Sequence, residues 1–263
     1  MPTASNGAVS IHYATDGDAD RETVLLLGDV GYGAWQWGWQ HAGLTGPFET
    51  VVPDLRGAGR SDAPSGPYAI EDFVADVEAV LDDHGARRAH VVGAGLGGMV
   101  ALELARASTR PQSLALLGTA ATGEGLSLDP LFGSPADPDD LTSSLSAALS
   151  DDFLSAHPEA VDRIVDWRAD EDATREAWAA QAAGVGAFDA SDWLYEVTLP
   201  SLVVHGRDDA VWPVDRGRRL AEGLPRGDFV GVDAGHLVGI ERSRDVNDRL
   251  VGFFEGVGST DRA

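Results

Sequence analysis

Short apolar runs closed off by glycine, proline and acidic turns set the rhythm of the chain. Alternation over residues 8–13 predicts an edge strand. The unbroken runs Thr23–Leu27 (TVLLL) and Glu49–Pro53 (ETVVP) predict strands buried on both faces. Ile70, Phe73, Val74, Val77, Val80 and Leu81 recur at helical spacing, so Ile70–His84 is predicted to be an amphipathic helix. Residues 90–93 (HVVG) predict a strand that runs straight into the glycines of residues 95–98. A helix over 99–107 and a strand over 113–117 follow.

From Thr119 to about Val197 the strand signals stop. This stretch is acidic and alanine-rich, with helical patterns near 140–150, 158–167 and 172–183. Alternation then resumes: a strand over 201–205, a helix near 215–224, a strand over 228–232 and a last helix near 244–254. Residues 259–263 read as a frayed tail. Strand–helix alternation on both sides of a helical stretch predicts an α/β fold. The expectation is a mostly parallel central sheet with helices on both faces, forming one domain over residues 1–263 with a helical cap inserted at about 120–197.

Composition narrows the function. The chain has no cysteine, which excludes disulfides, thiolate catalysis and zinc–sulfur sites. No apolar run reaches the roughly 18 residues of a membrane span, and residues 1–10 lack a basic-then-apolar leader, so a cytoplasmic protein is expected. The net charge is −24, and all 19 basic residues are arginine. In molar salt the Debye length falls to about 3 Å and such self-repulsion is screened. This acidic, lysine-free composition resembles that of proteins from halophilic archaea, which implies a high-salt cytoplasm; the plainer alternative is a solvated acidic face that keeps the protein soluble. Nucleic acid and anionic membranes are expected to be repelled.

Four segments together resemble the α/β-hydrolase family, in particular its enol-lactonase and esterase branch with a helical cap. They are residues 24–37 (VLLLGDVGYGAWQW), 53–62 (PDLRGAGRSD), 91–98 (VVGAGLGG), and 203–213 (VVHGRDDAVWP) with 233–241 (DAGHLVGIE). The resemblance spans about residues 10–256 and keeps the family order of elbow, acid and histidine. It implies that the turn Gly93-Ala94-Gly95-Leu96-Gly97 is the nucleophile elbow G-x-S-x-G, with Gly95 at the serine position and no hydroxyl there. A rival reading takes Gly93, Gly95 and Gly98 as a dinucleotide fingerprint. That motif should open a chain-initial βαβ unit with an acid about 20 residues on, and residues 112–117 contain none.

By the same resemblance, Gly206, Asp209 and Pro213 fit G-x-x-D-x-x-x-P, making Asp209 the triad acid, and Gly235–His236 matches the histidine loop. Asp209 would orient His236, which could then act as a general base without a serine. The other reading of His236 is a ring that merely hydrogen-bonds in a polar loop. Asp208 reads as a solvated spare, and His12, His41, His84 and His205 as structural or exposed. The amides of Leu96 and Val30 stand at the oxyanion-hole positions. Asp29 departs from the family, because glycine is usual there. It is expected either to turn to solvent or cap the following turn, or to bind a cationic or hydroxylated group or replace a lost catalytic one.

Val30, Tyr32, Trp35, Gly95, Leu96, Trp212 and His236 are expected to face an apolar pocket, with Trp167, Trp178 and Phe188 from the cap. The expected ligand is a small organic molecule. No cofactor is implied, and no metal site, since no His/Asp/Glu cluster has ligand spacing. Three readings follow. One is an enzyme using His236 and Asp209 for water-attack hydrolysis or for lyase or isomerase chemistry. Another is a ligand-binding pseudoenzyme. The last is an ordinary esterase or lactonase altered at Gly95, in which Gly95→Ser would restore ester hydrolysis.

Overall fold

The computed structural model describes residues 2–260. Its strands are β1 (Thr3–Asn6), β2 (Val9–Asp16), β3 (Thr23–Leu27), β4 (Glu49–Pro53), β5 (Ala89–Ala94), β6 (Pro111–Leu117), β7 (Ser201–Gly206) and β8 (Gly227–Val232). They form one sheet in the order β1-β2-β4-β3-β5-β6-β7-β8. Strands β3 to β8 pair in parallel, while β2 is antiparallel to both β1 and β4. The predicted class is the observed one: an α/β-hydrolase fold, with the central strands β3, β4 and β5 buried as their apolar sequences require.

The helices are α1 (Gly38–Leu44), α2 (Ile70–His84), α3 (Leu96–Ala107), α4 (Pro138–Ala148), α5 (Asp151–Ala156), α6 (Pro158–Glu171), α7 (Arg175–Ala187), α8 (Val214–Gly223), α9 (Val238–Glu241) and α10 (Ser243–Thr260). Helix α2 buries Phe73, Val77, Val80 and Leu81 on the face that the sequence marked, and ends at Gly85 in a left-handed conformation (φ 85°). Four helices, α4 to α7, occupy the chain between β6 and β7. Among the described residues, no helix is long and apolar enough to cross a membrane.

Several boundaries differ from expectation. The strand expected at the sheet edge is second from it, because the polar segment Thr3–Asn6 pairs outside β2. One apolar residue, Ala4, among Thr3, Ser5 and Asn6 gives no readable hydrophobic pattern, so backbone pairing with β2 and burial of Ala4 make this strand. Helix α3 begins at Leu96 rather than 99, since the three glycines after β5 permit an abrupt entry. Helix α5 was not foreseen, and α7 runs on to Ala187. Helix α10 continues through Thr260, and residues 261–263 of the expected tail lie outside the described residues.

Candidate functional site

Gly95 is the single residue between β5 and α3. Its φ of 47° and ψ of −113° lie where a side chain is rarely tolerated. The turn is pinned on both sides. Gly95 N–H donates to the Leu117 carbonyl (3.1 Å), and Thr119 Oγ1 donates to the Gly95 carbonyl (2.7 Å). Gly97 N–H donates to the Gly28 carbonyl (3.0 Å), which draws the loop after β3 against the elbow.

That apposition brings Asp29 into the turn. Its backbone N–H donates to Gln36 Oε1 (2.8 Å), which fixes the loop. Its carboxylate then makes three contacts. Oδ1 accepts from the Val30 N–H (2.6 Å) and from the Leu96 N–H (2.8 Å), and Oδ2 lies 2.6 Å from His236 Nε2. The Leu96 amide opens α3, so the helix dipole favours an anion there. A Cβ built on Gly95 would overlap this carboxylate. Asp29 is fully buried, so the expectation that it turns to solvent does not hold.

His236 is held from its other side by Asp209 Oδ2, 2.8 Å from Nδ1. Asp209 is itself fixed. Its Oδ1 accepts from the N–H groups of Val211 (3.0 Å) and Trp212 (2.8 Å), and its Oδ2 lies 3.3 Å from His205 Nε2. Both His236 nitrogens therefore face carboxyl oxygens, and with both carboxyls ionised each ring nitrogen must donate, so the ring carries two protons. The energetics agree. Burial favours the neutral ring, but the carboxylates of Asp209 and Asp29 outweigh it and raise the pKa from 6.5 to about 10. Burial also opposes ionisation of Asp209, yet His236 and His205 hold it well below the usual carboxylate range. The Trp212 ring lies parallel to His236, with centroids 6.2 Å apart.

The other sequence-selected residues are interior rather than on an open cleft. Val30, Tyr32, Trp35, Leu96 and Trp212 are each 5% exposed or less. The cause is the segment of α6 and α7, which is bonded directly to the loop after β3. Trp35 donates from its backbone to Glu171 (2.8 Å) and from Nε1 to Asp172 (2.7 Å). Gly31 N–H donates to Gln181 Oε1 (2.6 Å), and Ala173 N–H to the Gly31 carbonyl (2.8 Å). Arg168 lies over the Tyr32 ring at 5.0 Å. The gap that reaches His236, between Gln36, Trp37, Leu117 and Leu237, is about 10 Å³, barely one water. Trp35, Trp37 and Trp39, two apart in sequence, point in different directions, because residues 34–37 form a 3₁₀ turn. Trp35 and Trp37 enter different core clusters, and Trp39 meets Trp167 edge-on.

Sequence reasoning missed Gln36, Thr119 and Gln181, which fix the loop and the elbow, and His205, which supports Asp209. A lone glutamine in the alanine-rich stretch of α7, Gln181, was the available signal.

The chain belongs to the alpha/beta hydrolase family, whose model matches residues 24–249. It is similar to a putative carbamate hydrolase RutD of Azorhizobium caulinodans, 29% identical over 96% of this chain and 98% of that protein. It is also similar to 3-oxoadipate enol-lactonase 2 of Acinetobacter baylyi, 27% identical over 91% of each. Among solved structures, the enol-lactonase of Burkholderia xenovorans superposes with a TM-score of 0.85 at 27% identity, covering 97% of this chain and all of that one.

Proposed function

We propose that this protein acts on a small organic molecule through a triad of Asp29, His236 and Asp209, in which a carboxylate stands where the family places a serine hydroxyl. One observation carries the reading: the Asp29 carboxylate takes both amides at the oxyanion-hole positions and the free nitrogen of His236. Gly95 then serves to leave room for Asp29. The named relatives, a carbamate hydrolase and an enol-lactonase, support a small substrate with a hydrolysable bond. The helices between β6 and β7 are read as its cap, over about residues 120–197.

The chemistry differs from acyl transfer to serine. A carboxylate that adds to an ester carbonyl is expelled again, because it leaves far more readily than an alkoxide. Attack on a saturated carbon bearing a leaving group gives a stable ester instead. Asp29 Oδ2 forms that carbon–oxygen bond as the leaving group departs with its electron pair and takes the His236 Nε2 proton. Oδ1 becomes the ester carbonyl oxygen, still held by the Val30 and Leu96 amides. With the Asp29 charge gone, His236 loses one cause of its raised pKa and presents a free Nε2. Water gives its proton to Nε2 while its oxygen adds to Cγ, and the two amides hold the charge on Oδ1. Collapse releases the alkoxide, which takes the His236 proton; the Asp29 acid returns a proton to His236, restoring the resting pair.

Styrene oxide is a suitable probe. In the opening of this epoxide the leaving alkoxide stays tethered to the alkyl group. Wild type should form the diol, and a single turnover in ¹⁸O-water should leave the label in the Asp29 carboxylate. His236→Gln, challenged with 1-bromobutane, whose bromide leaves without a proton, should accumulate an adduct on Asp29. Diol formation with the label only in product, or an adduct elsewhere, would contradict the triad. A second reading, ligand binding without turnover, draws on the burial of Asp29 (0% exposed) and His236 (4%); neither diol nor adduct would favour it. The fit between Gly95 and Asp29 speaks against an esterase altered at one position, since restoring a side chain at 95 would strike Asp29. The lysine-free charge of −24 supports a protein adapted to a high-salt cytoplasm.

A further inference from the structure

A larger space opens away from the triad, where the chain leaving β6 passes α8. This cavity of about 640 Å³ is lined by Ala120, Ala121 and Leu194 and by Arg216, Arg219 and Gly223 of α8. Thr122, Glu124, Gly125 and Ser191 complete it; Asp29, Gly95, Asp209 and His236 take no part. Its size falls in the range of roughly 300–1,000 Å³ that holds small molecules.

Helical geometry explains the wall. Residues 216, 219 and 223 are spaced i, i+3, i+7 and share one face of α8. Arg216 is fixed: Nη1 donates to the Thr122 carbonyl (3.3 Å) and Nη2 to the Glu124 carbonyl (2.7 Å). Those bonds tie the loop to α8 but leave the guanidinium charge unneutralised, with further N–H donors to spare. Arg219 is exposed at the mouth. Among the described residues neither arginine is paired with a carboxylate, and Glu124 is the one acidic residue of the wall. The cavity thus combines two arginines of α8 and one glutamate with the apolar Ala120, Ala121 and Leu194.

We infer that this cavity binds a small amphiphilic organic anion, its oxyanion head on Arg216 and Arg219 and its apolar body on Ala120, Ala121 and Leu194. The planar guanidinium fork suits such a head, and charge-assisted bonds are the stronger kind. The charge of −24 would repel an anion at distance. In molar salt that field is screened within about 3 Å, so the arginines in contact decide. This site goes beyond the triad chemistry and stands whether or not the protein turns anything over.

The test is calorimetric titration of the whole chain with octanoate in molar KCl. Octanoate should bind at one site, and 1-octanol at least about tenfold more weakly. Inorganic phosphate should fail to displace octanoate, since it has no apolar body. The Arg216→Gln/Arg219→Gln variant should lose at least about tenfold in octanoate affinity while binding octanol unchanged. Ala121→Trp should fill the space and abolish both; if it does not fold, the arginine variant decides alone. The inference is overturned if octanoate does not bind, if octanol binds as tightly, if phosphate competes, or if the double arginine variant matches wild type.

Discussion

Asp29 and Gly95 are a matched pair: with the Asp29 carboxylate on the Val30 and Leu96 amides, any Cβ at position 95 would overlap Asp29 Oδ1. A serine at position 95 alone therefore puts a side chain at a φ of 47° into occupied space. Gly95→Ser should gain no nitrophenyl-ester hydrolysis and should lose about 1–3 kcal/mol of stability in urea unfolding. The rescue expected from sequence assumed an empty oxyanion hole. A stable, active single variant would show that Asp29 yields easily.

The pH dependence of stability should follow His236. Its pKa in the fold is about 10 against an ordinary 6.5, so its contribution is fully present below about 6.5 and is lost as pH rises through about 10. Asp29→Asn removes one of the charges responsible, so the ring pKa should fall and the alkaline loss should begin at lower pH. Proton–nitrogen correlation of the imidazole gives the titration directly. A wild-type ring titrating near its ordinary value would refute the doubly protonated resting state.

Arg168 should act as a clamp within the helical segment between β6 and β7, from which it also lies over Tyr32 of the loop after β3. It is 1% exposed and donates to Asp172 (2.6 Å), to Ser144 Oγ (2.7 Å) and to the carbonyls of Leu141 (3.1 Å) and Leu131 (3.2 Å). Arg168→Met leaves the buried Asp172 without its cation, which typically costs about 3–5 kcal/mol. Chemical denaturation should register that loss; a change under about 1 kcal/mol would mean that Asp172 is satisfied by Trp35 alone.

Salt should stabilise this chain. With a charge of −24, dilute buffer leaves the surface self-repelling. Circular dichroism should show loss of helix below about 0.1 M KCl, where the Debye length reaches about 10 Å, and recovery in molar KCl. Full structure in dilute buffer would argue for acidity that serves solubility only.

The sheet was legible because its buried strands, such as Thr23–Leu27, are continuous apolar runs, and α2 because its core positions keep helical spacing. Thr3–Asn6 was hidden, since pairing through backbone leaves no trace in side-chain pattern. At the site, Gly95, Asp209 and His236 could be picked out because each sits in a motif. Asp29 could be named but not aimed. Its direction depends on Gln36 and on the elbow 67 residues later in sequence, which donates the Leu96 N–H. The closure of the site was equally invisible, because it arises from contacts between Gly31 or Trp35 and residues of α6 and α7 about 140 positions away, such as Gln181 and Glu171.

The most direct measurement is labelling by a fluorophosphonate, read by intact mass in wild type, Gly95→Ser and the Asp29→Gly/Gly95→Ser double variant. Exchanging both residues empties the amides of Val30 and Leu96 and gives His236 a hydroxyl to serve, so only the double variant should carry the label, at residue 95. A label on wild type, or equal labelling of the single variant, would contradict the claim that the Asp29 carboxylate has taken the place of a serine.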